Sequence, residues 1–308
     1  MRWFAVNGSL PWDQSKGTEL DLFIFGVGFS GIEIAKAAST RSAKVAGTTR
    51  KKDKVERLGS IGVEPFLFDG TGDLDLIQKR LKTVTHLIIS IAPDADGDPV
   101  LNALNDVIAG DMPALGWIGY LSTVGVYGDH HGAWVNEESV CKPVSARSIE
   151  RLKAEDAWQG LATDIRKPLA IMRLSGIYGP GRNTFVNLAD GSAKRIIKAR
   201  QYFNRIHVAD IAGAAMLLAG DNIGGLFNVT DDEPAPPQDV VTYAAKLMGV
   251  NPPPEIAYDD AVMSEMARSF YGEVKRVSNA KIKDLGYEFL FPNYRIAQNE
   301  MWQNQHWK

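Results

Sequence analysis

The sequence predicts an α/β chain: a doubly wound parallel sheet with helices on both faces and a smaller C-terminal lobe. Three observations carry that prediction. Short apolar runs alternate with helix-spaced segments from Leu22 to Leu174, the first run ends directly in the glycine-rich turn Gly26-Val27-Gly28-Phe29-Ser30-Gly31, and past Gly179 the alternation loosens.

Each element follows from its local pattern. Leu22-Phe23-Ile24-Phe25 is short, continuous and apolar, as a strand buried on both faces must be. Ile32, Ile34, Ala35 and Ala38 permit a helix reaching Thr40, and Lys44 to Thr48 is a second strand. Phe66-Leu67-Phe68 gives a third strand closing on Asp69, and Leu74, Ile77 and Leu81 recur at helical spacing. His86 to Ile91 is the fourth strand, Pro99 to Ile108 a helix, and Trp117 to Leu121 the fifth strand. A helix from Ala146 to Leu161 and a strand from Leu169 to Leu174 follow. Right-handed crossovers between parallel strands place each helix on a sheet face, so this alternation specifies a covered parallel sheet. Pro234-Ala235-Pro236-Pro237 and Pro252-Pro253-Pro254 read as turns of the smaller lobe.

Composition narrows the function classes. The 308 residues carry 34 Lys+Arg against 37 Asp+Glu, a formal charge of -3, which offers no basic face for a nucleic acid. Cys141 is the single cysteine, so no intrachain disulfide can form and nothing favours an oxidising compartment. No run of about eighteen apolar residues is present to span a membrane. Residues 1–19 are mixed, with Trp3, Pro11, Trp12 and Asp13 interrupting any apolar stretch, and read as an N-terminal arm rather than a signal peptide. The cytoplasm is the expected compartment.

The glycine turn suits a dinucleotide. In a G-x-G-x-x-G turn the first glycine allows the tight bend, the second lets a diphosphate approach the backbone, and the third lets helix pack on strand. The expectation is that main-chain amides around Gly26 and Gly28, with Phe29, Ser30 and Gly31 opening the helix, grip the diphosphate at the positive end of the helix dipole. Beyond the second strand the chain reads Gly47-Thr48-Thr49-Arg50-Lys51-Lys52. An acid there would accept the ribose hydroxyls of NAD; Arg50 instead can clamp a 2′-phosphate, with Thr49 as a hydroxyl donor. NADP is therefore the expected cofactor, with NAD as the alternative and a solvated turn as the bland reading of Arg50 to Lys52. Asp69 is a candidate for the adenine edge, or a helix cap.

Three further motifs carry a resemblance. Leu121-Ser122-Thr123-Val124-Gly125-Val126-Tyr127-Gly128, then Arg173-Leu174-Ser175-Gly176-Ile177-Tyr178-Gly179-Pro180-Gly181-Arg182, then Arg205-Ile206-His207-Val208-Ala209-Asp210 resemble, in that order, the extended short-chain dehydrogenase/reductase family of NAD-dependent epimerases and dehydratases. The likeness runs from about Asp21 to the C-terminus. It implies a Rossmann-type domain over 19–174 plus 206–229, and a substrate-side lobe of 175–205 plus 230–308. It also implies roles: Ser122 or Thr123 bonding a substrate oxygen, Ser175 and Ile177 near the nicotinamide, and Ile91, Ala92 and Pro93 lining the cofactor groove. Tyr178, Arg182 and Arg205 would face the substrate, a nucleotide sugar or similar hydroxylated molecule. Strand-end hydroxyls capping helices and a structural ion pair at Arg205 are the bland alternatives.

One departure stands out. The family's Tyr-x-x-x-Lys pair, a phenol whose lowered pKa lets it move a proton, is replaced by Arg147 and Arg151 in Ser145-Ala146-Arg147-Ser148-Ile149-Glu150-Arg151. Arginine stays protonated and cannot serve as that acid/base, though it can bind a phosphate, carboxylate or hydroxyl of a substrate. Tyr127 is the first substitute acid/base, with His130, His131 and Glu137 behind it. Tyr271-x-x-x-Lys275 matches the pair's spacing by coincidence. Two functions follow: an NADP-dependent oxidoreductase or epimerase/dehydratase with an altered proton shuttle, or a non-catalytic NADP(H)-binding sensor. No zinc, serine-hydrolase or Walker-type motif is present. A homodimer stays open as the quaternary state.

Overall fold

The computed structural model describes residues 20–41, 43–71 and 74–308. The expected arm, 1–19, lies outside them. In chain order the elements begin β1 (Asp21–Phe25), α1 (Phe29–Ser39), β2 (Lys44–Thr49), α2 (Val55–Ser60), β3 (Glu64–Leu67), α3 (Asp75–Leu81), β4 (His86–Ile89), α4 (Pro99–Gly110), β5 (Trp117–Thr123) and β6 (Trp134–Val135). They continue α5 (Ala146–Asp164), β7 (Leu169–Leu174), β8 (Gly176–Tyr178), α6 (Thr184–Ala189), β9 (Arg195–Ile197), β10 (Arg205–His207), α7 (Val208–Gly220) and β11 (Gly225–Val229). The last are α8 (Pro237–Met248), β12 (Glu255–Ala257), α9 (Glu265–Tyr271), β13 (Arg276–Val277), α10 (Ala280–Asp284) and α11 (Tyr294–Gln303).

Among the described residues the central sheet has seven strands in the order β11-β7-β5-β4-β1-β2-β3. The β1/β2, β2/β3, β1/β4 and β4/β5 pairs are parallel. Winding reverses between β1 and β4, so their carboxyl ends open on one crevice, where open α/β sheets bind ligands. β1 is buried at every position, which is why Leu22 to Phe25 reads as an unbroken apolar run after Asp21. On one face Phe23, Phe25, Leu87, Ile89, Ile118 and Tyr120 pack with Leu104 and Ile108 of α4 and Trp158 of α5. Pro99 starts α4 behind Asp98, whose carboxylate accepts the Val100 and Leu101 amides at 2.9 and 3.2 Å, so proline stands where no helical donor is lost.

The chain forms two compact units: Met1–Thr123, Ala146–Arg173 and Ile211–Phe227 make one, Val124–Ser145, Leu174–Asp210 and Asn228–Lys308 the other. The segment 124–145, assigned from sequence to the dinucleotide-binding part, belongs to the second unit. That unit is more helical than its loosened pattern suggests, because Pro236-Pro237 is not only a turn: Pro237 is the first residue of α8. Inside it Asp210 ties two segments, accepting the Tyr287 hydroxyl at 3.0 Å and the Leu290 and Phe291 amides at 2.7 and 3.0 Å.

Candidate functional site

The glycine turn lies at the carboxyl end of β1, and its three glycines do different work. Gly26 sits at φ +91°, and a Cβ there would come within 2.8 Å of Ile91 Cγ1, so only glycine fits. A Cβ on Gly31 would stand 2.9 Å from the Gly26 carbonyl oxygen, which is the close approach of α1 to the turn. Gly28 is exposed, and a Cβ added there meets nothing within 4 Å. The middle glycine therefore leaves open the space that a diphosphate needs.

The amides are distributed differently from the expectation. Gly26 N donates to Thr48 Oγ1 at 2.8 Å, Val27 N to the Thr48 carbonyl at 2.8 Å, and Gly28 N to the Gly26 carbonyl at 2.8 Å. The amides of Gly26 and Gly28 thus have partners inside the protein. The helix's own ladder begins with Ile32 N donating to the Gly28 carbonyl at 2.9 Å. The amides of Ser30 and Gly31 precede that ladder, and Gly28, the N-cap of α1, has no side chain to cover the helix end.

Around the turn, Ile91 is half-buried against Gly26, Ala92 is exposed and Pro93 buried, all just past β4. At the end of β2, Thr49 is buried and its Oγ1 accepts the Lys51 amide at 3.3 Å, while Arg50, Lys51 and Lys52 are exposed. Asp69, also exposed, accepts the Thr71 amide at 3.0 Å and the Thr71 hydroxyl at 2.9 Å. The two Thr71 bonds hold its carboxyl below the usual range. It is the pivot of a local turn, not a helix cap.

The end of β5 is held from α5. Ser122, buried, donates its hydroxyl to Glu155 Oε1, and Arg173 grips the same carboxylate with Nη2 at 2.7 Å and Nε at 3.1 Å. One turn earlier Arg151 Nη1 donates to the Leu121 carbonyl at 2.8 Å and to the Tyr120 hydroxyl at 3.3 Å. Burial pushes the Tyr120 phenol well up and raises the nearby Asp98 carboxyl. Arg147, Arg151 and Glu155 share one stripe of α5 at four-residue spacing, with Arg147 exposed at its start. Of the two hydroxyls expected to meet a substrate, Ser122 has its proton committed to Glu155; Thr123 is the half-buried one at the strand's last position.

In the second unit the substitute acid/base does not materialise. Tyr127 is fully buried beside Val124, Val135 and Val277, and its hydroxyl donates to Asn228 Oδ1 at 2.7 Å. It is a packing aromatic, and the proton-shuttle expectation for it is withdrawn. Glu137 is engaged as acceptor for the Asn228 amide at 2.8 Å, His130 Nε2 faces the Tyr127 carbonyl at 3.1 Å, and exposed His131 pairs with Asp129. Ser175 is buried with its amide on the Val229 carbonyl at 3.3 Å. Ile177 and Tyr178 pair in register with Ile206 and His207, and burial raises the Tyr178 phenol well above its ordinary range. Arg182 is exposed. Arg205 Nη1 donates to the Phe203 and Ala235 carbonyls at 2.9 and 3.1 Å, so backbone carbonyls hold it where the structural alternative expected an ion pair. Tyr271 ends α9 whereas Lys275 lies beyond it, with Nζ on the Gly128 carbonyl at 2.8 Å, so the Tyr-x-x-x-Lys spacing there does not fall on one helix.

Among the described residues no helix is long and apolar enough to cross a membrane, and no three His, Cys, Asp or Glu side chains gather to hold a metal. Sequence reasoning missed Thr48, Glu155 and Arg173. Their partners lie far off in sequence, so no local pattern marked them.

No family model matches the chain. A functionally unknown conserved protein from Silicibacter pomeroyi DSS, known as a solved structure, is 44% identical, with a TM-score of 0.84 over 92% of this chain and 99% of its own. Protein YeeZ of Escherichia coli (strain K12) is 28% identical over 290 residues, 88% of this chain and 96% of YeeZ. The UDP-glucuronic acid 4-epimerase from Bacillus cereus, solved in complex with NAD, shares 16% identity and a TM-score of 0.74 over 94% of this chain and 100% of that one, a likeness of fold. The chain belongs to the family of the Silicibacter pomeroyi protein, and its fold is that of the NAD-dependent epimerase/dehydratase proteins.

Proposed function

We propose that the first unit binds a nicotinamide dinucleotide, NADP in preference to NAD, and that the protein is an oxidoreductase of the epimerase/dehydratase type acting on a hydroxylated substrate such as a nucleotide sugar. The observation that carries this reading is the open space over Gly28 in a turn whose other glycines are closed by their neighbours. A diphosphate there meets the start of α1, with the helix dipole favouring its charge. Arg50 would take the 2′-phosphate, and Lys51 and Lys52 add positive potential on the same turn, where no carboxylate among Gly47 to Lys52 opposes it. The fold shared with an NAD-containing epimerase supports a nicotinamide coenzyme.

The coenzyme supplies a hydride acceptor and donor. The chain's own residues supply binding and orientation: Thr123 offers a hydroxyl at the end of β5, and Arg151, fixed by Leu121 and Tyr120, and Arg147 offer permanent positive charge to a substrate phosphate or carboxylate. A second reading, a non-catalytic NADP(H) sensor, is favoured by a specific observation. The Ser122 and Tyr127 hydroxyls are both committed to protein acceptors, and arginines stand where a phenol and lysine would move a proton. Calorimetric titration with NADPH and NADH tests coenzyme binding, and a turnover screen at 340 nm over hydroxylated substrates and nucleotide sugars separates the two readings. Binding without turnover supports the sensor; no heat with either coenzyme removes both.

A further inference from the structure

Thr48 is polar yet fully buried at the carboxyl end of β2. Its hydroxyl accepts the Gly26 amide at 2.8 Å and its carbonyl accepts the Val27 amide at 2.8 Å, so one residue holds two consecutive amides of the glycine turn. Its neighbour Gly47 completes the fit. A Cβ on Gly47 would come 2.4 Å from Val27 Cγ2 and 2.8 Å from the Ile24 carbonyl oxygen, so Val27 seats on bare backbone. Gly26, at φ +91°, is a residue whose backbone freedom would otherwise leave the turn loose.

We propose that Thr48 is a positioning residue for the coenzyme: with Gly47 it moulds the glycine turn into its binding shape before any ligand arrives. The inference rests on the dinucleotide reading of the site. Two consequences follow from the bonds. The Gly26 and Val27 amides are withheld from the ligand, so the diphosphate falls to the first amides of α1, those of Ser30 and Gly31. The turn also needs no ordering on binding, and pre-organisation of this kind raises affinity by removing an entropic cost. Valine has the shape of threonine but no acceptor, so in Thr48→Val the Gly26 amide either stays buried without a partner or the turn moves. Thr48→Ser keeps the acceptor.

The experiment pairs NADPH calorimetry with thermal unfolding for the parent, Thr48→Val and Thr48→Ser. The expected result is a Kd raised about tenfold or more in Thr48→Val and held within about threefold in Thr48→Ser, since one lost hydrogen bond of ordinary net strength is worth about that factor. A Thr48→Val protein that binds NADPH within about twofold of the parent overturns the proposal. A second measurement needs no substitution. In the 15N-labelled parent the Gly26 and Val27 amides should be protected from hydrogen exchange before NADPH is added, and should shift less on titration than those of Ser30 and Gly31. Rapid exchange of the Gly26 amide in the free protein overturns the proposal even where Thr48→Val does not fold. A parent that binds neither NADPH nor NADH removes the coenzyme reading and this inference with it, whereas a binding parent beside an unaffected Thr48→Val removes the inference alone.

Discussion

Ser122 donates its hydroxyl to the Glu155 carboxylate, and Arg173 clamps the same carboxylate from β7. Three elements, β5, α5 and β7, are tied by one buried ion pair and one hydroxyl at the end of β5. The tie makes Ser122 an anchor, whereas Thr123 is half-buried at the strand's last position.

Breaking that tie should destabilise the first unit strongly. Glu155→Ala leaves the Arg173 guanidinium buried without its partner, a loss of about 3–5 kcal/mol, whereas Ser122→Ala removes one hydrogen bond worth about 1–2 kcal/mol. Replacing both charged residues, as in Glu155→Leu with Arg173→Met, should recover much of the deficit, because apolar neighbours of similar volume substitute well for a buried pair. Urea unfolding of the three variants checks this; a Glu155→Ala protein within about 1 kcal/mol of the parent contradicts it.

Coenzyme choice should reside in Arg50. Arg50→Asp is expected to weaken NADPH by about tenfold to a hundredfold, the worth of a charge-assisted hydrogen bond, with NADH little changed or improved. Competitive titration of the two coenzymes reads the ratio, and an unchanged ratio assigns Arg50 to the solvated surface.

Two buried groups of the second unit give opposite pH dependence. Burial lowers His207 to about 3, below the ordinary 6.5, so its contribution is intact above pH 6.5 and is lost as pH falls from 6.5 towards 3. Burial raises Asp210 from 3.8 to about 7, against the pull of the Leu290 and Phe291 amides and the Tyr287 hydroxyl, so its contribution is present below pH 3.8 and is lost as pH rises towards 7. Each slope is about 1.4 kcal/mol per pH unit, and between pH 6.5 and 3.8 they nearly cancel. His207→Asn should therefore gain stability as pH falls from 6.5 to about 4.5, and Asp210→Asn should lose it, relative to a flatter parent. Urea unfolding across that range measures the three slopes; equal slopes in parent and variants refute the assignment.

The two outer positions of the glycine turn should respond differently from the middle one. Gly31→Ala drives a Cβ to 2.9 Å from the Gly26 carbonyl and should lower the melting temperature. Gly28→Ala meets nothing within 4 Å and should leave it unchanged while weakening NADPH, because the new methyl occupies the diphosphate's space. A Gly28→Ala protein as unstable as Gly31→Ala would place protein, not open space, over the turn.

The legibility of this chain follows the range of its interactions. Gly26, Gly28 and Gly31 were readable because a turn's requirements are local, three kinds of steric demand within six residues. The buried strands were readable for the same reason, since β1 and β4 are buried at every position and apolar at all but their first residues, Asp21 and His86. Thr48 was not readable: its partner is 22 positions away, and strand alternation makes Thr48 and Thr49 look interchangeable although the hydroxyl of one fastens the turn and that of the other faces the Lys51 amide. Glu155 joins residues 33 and 18 positions distant, so nothing in its own segment marked it. Tyr127 misled for the opposite reason, because a tyrosine between glycines suggests exposure while Asn228 and three valines enclose it.

The central claim, that the space over Gly28 takes a dinucleotide's diphosphate, is tested most directly by titrating NADPH into the parent and into Gly28→Asp, with melting curves for both. A carboxylate there would stand against the diphosphate. The account predicts saturable heat with a Kd of about 10 μM or tighter for the parent and none for Gly28→Asp at an unchanged melting temperature. Equal affinity in the two proteins would contradict it.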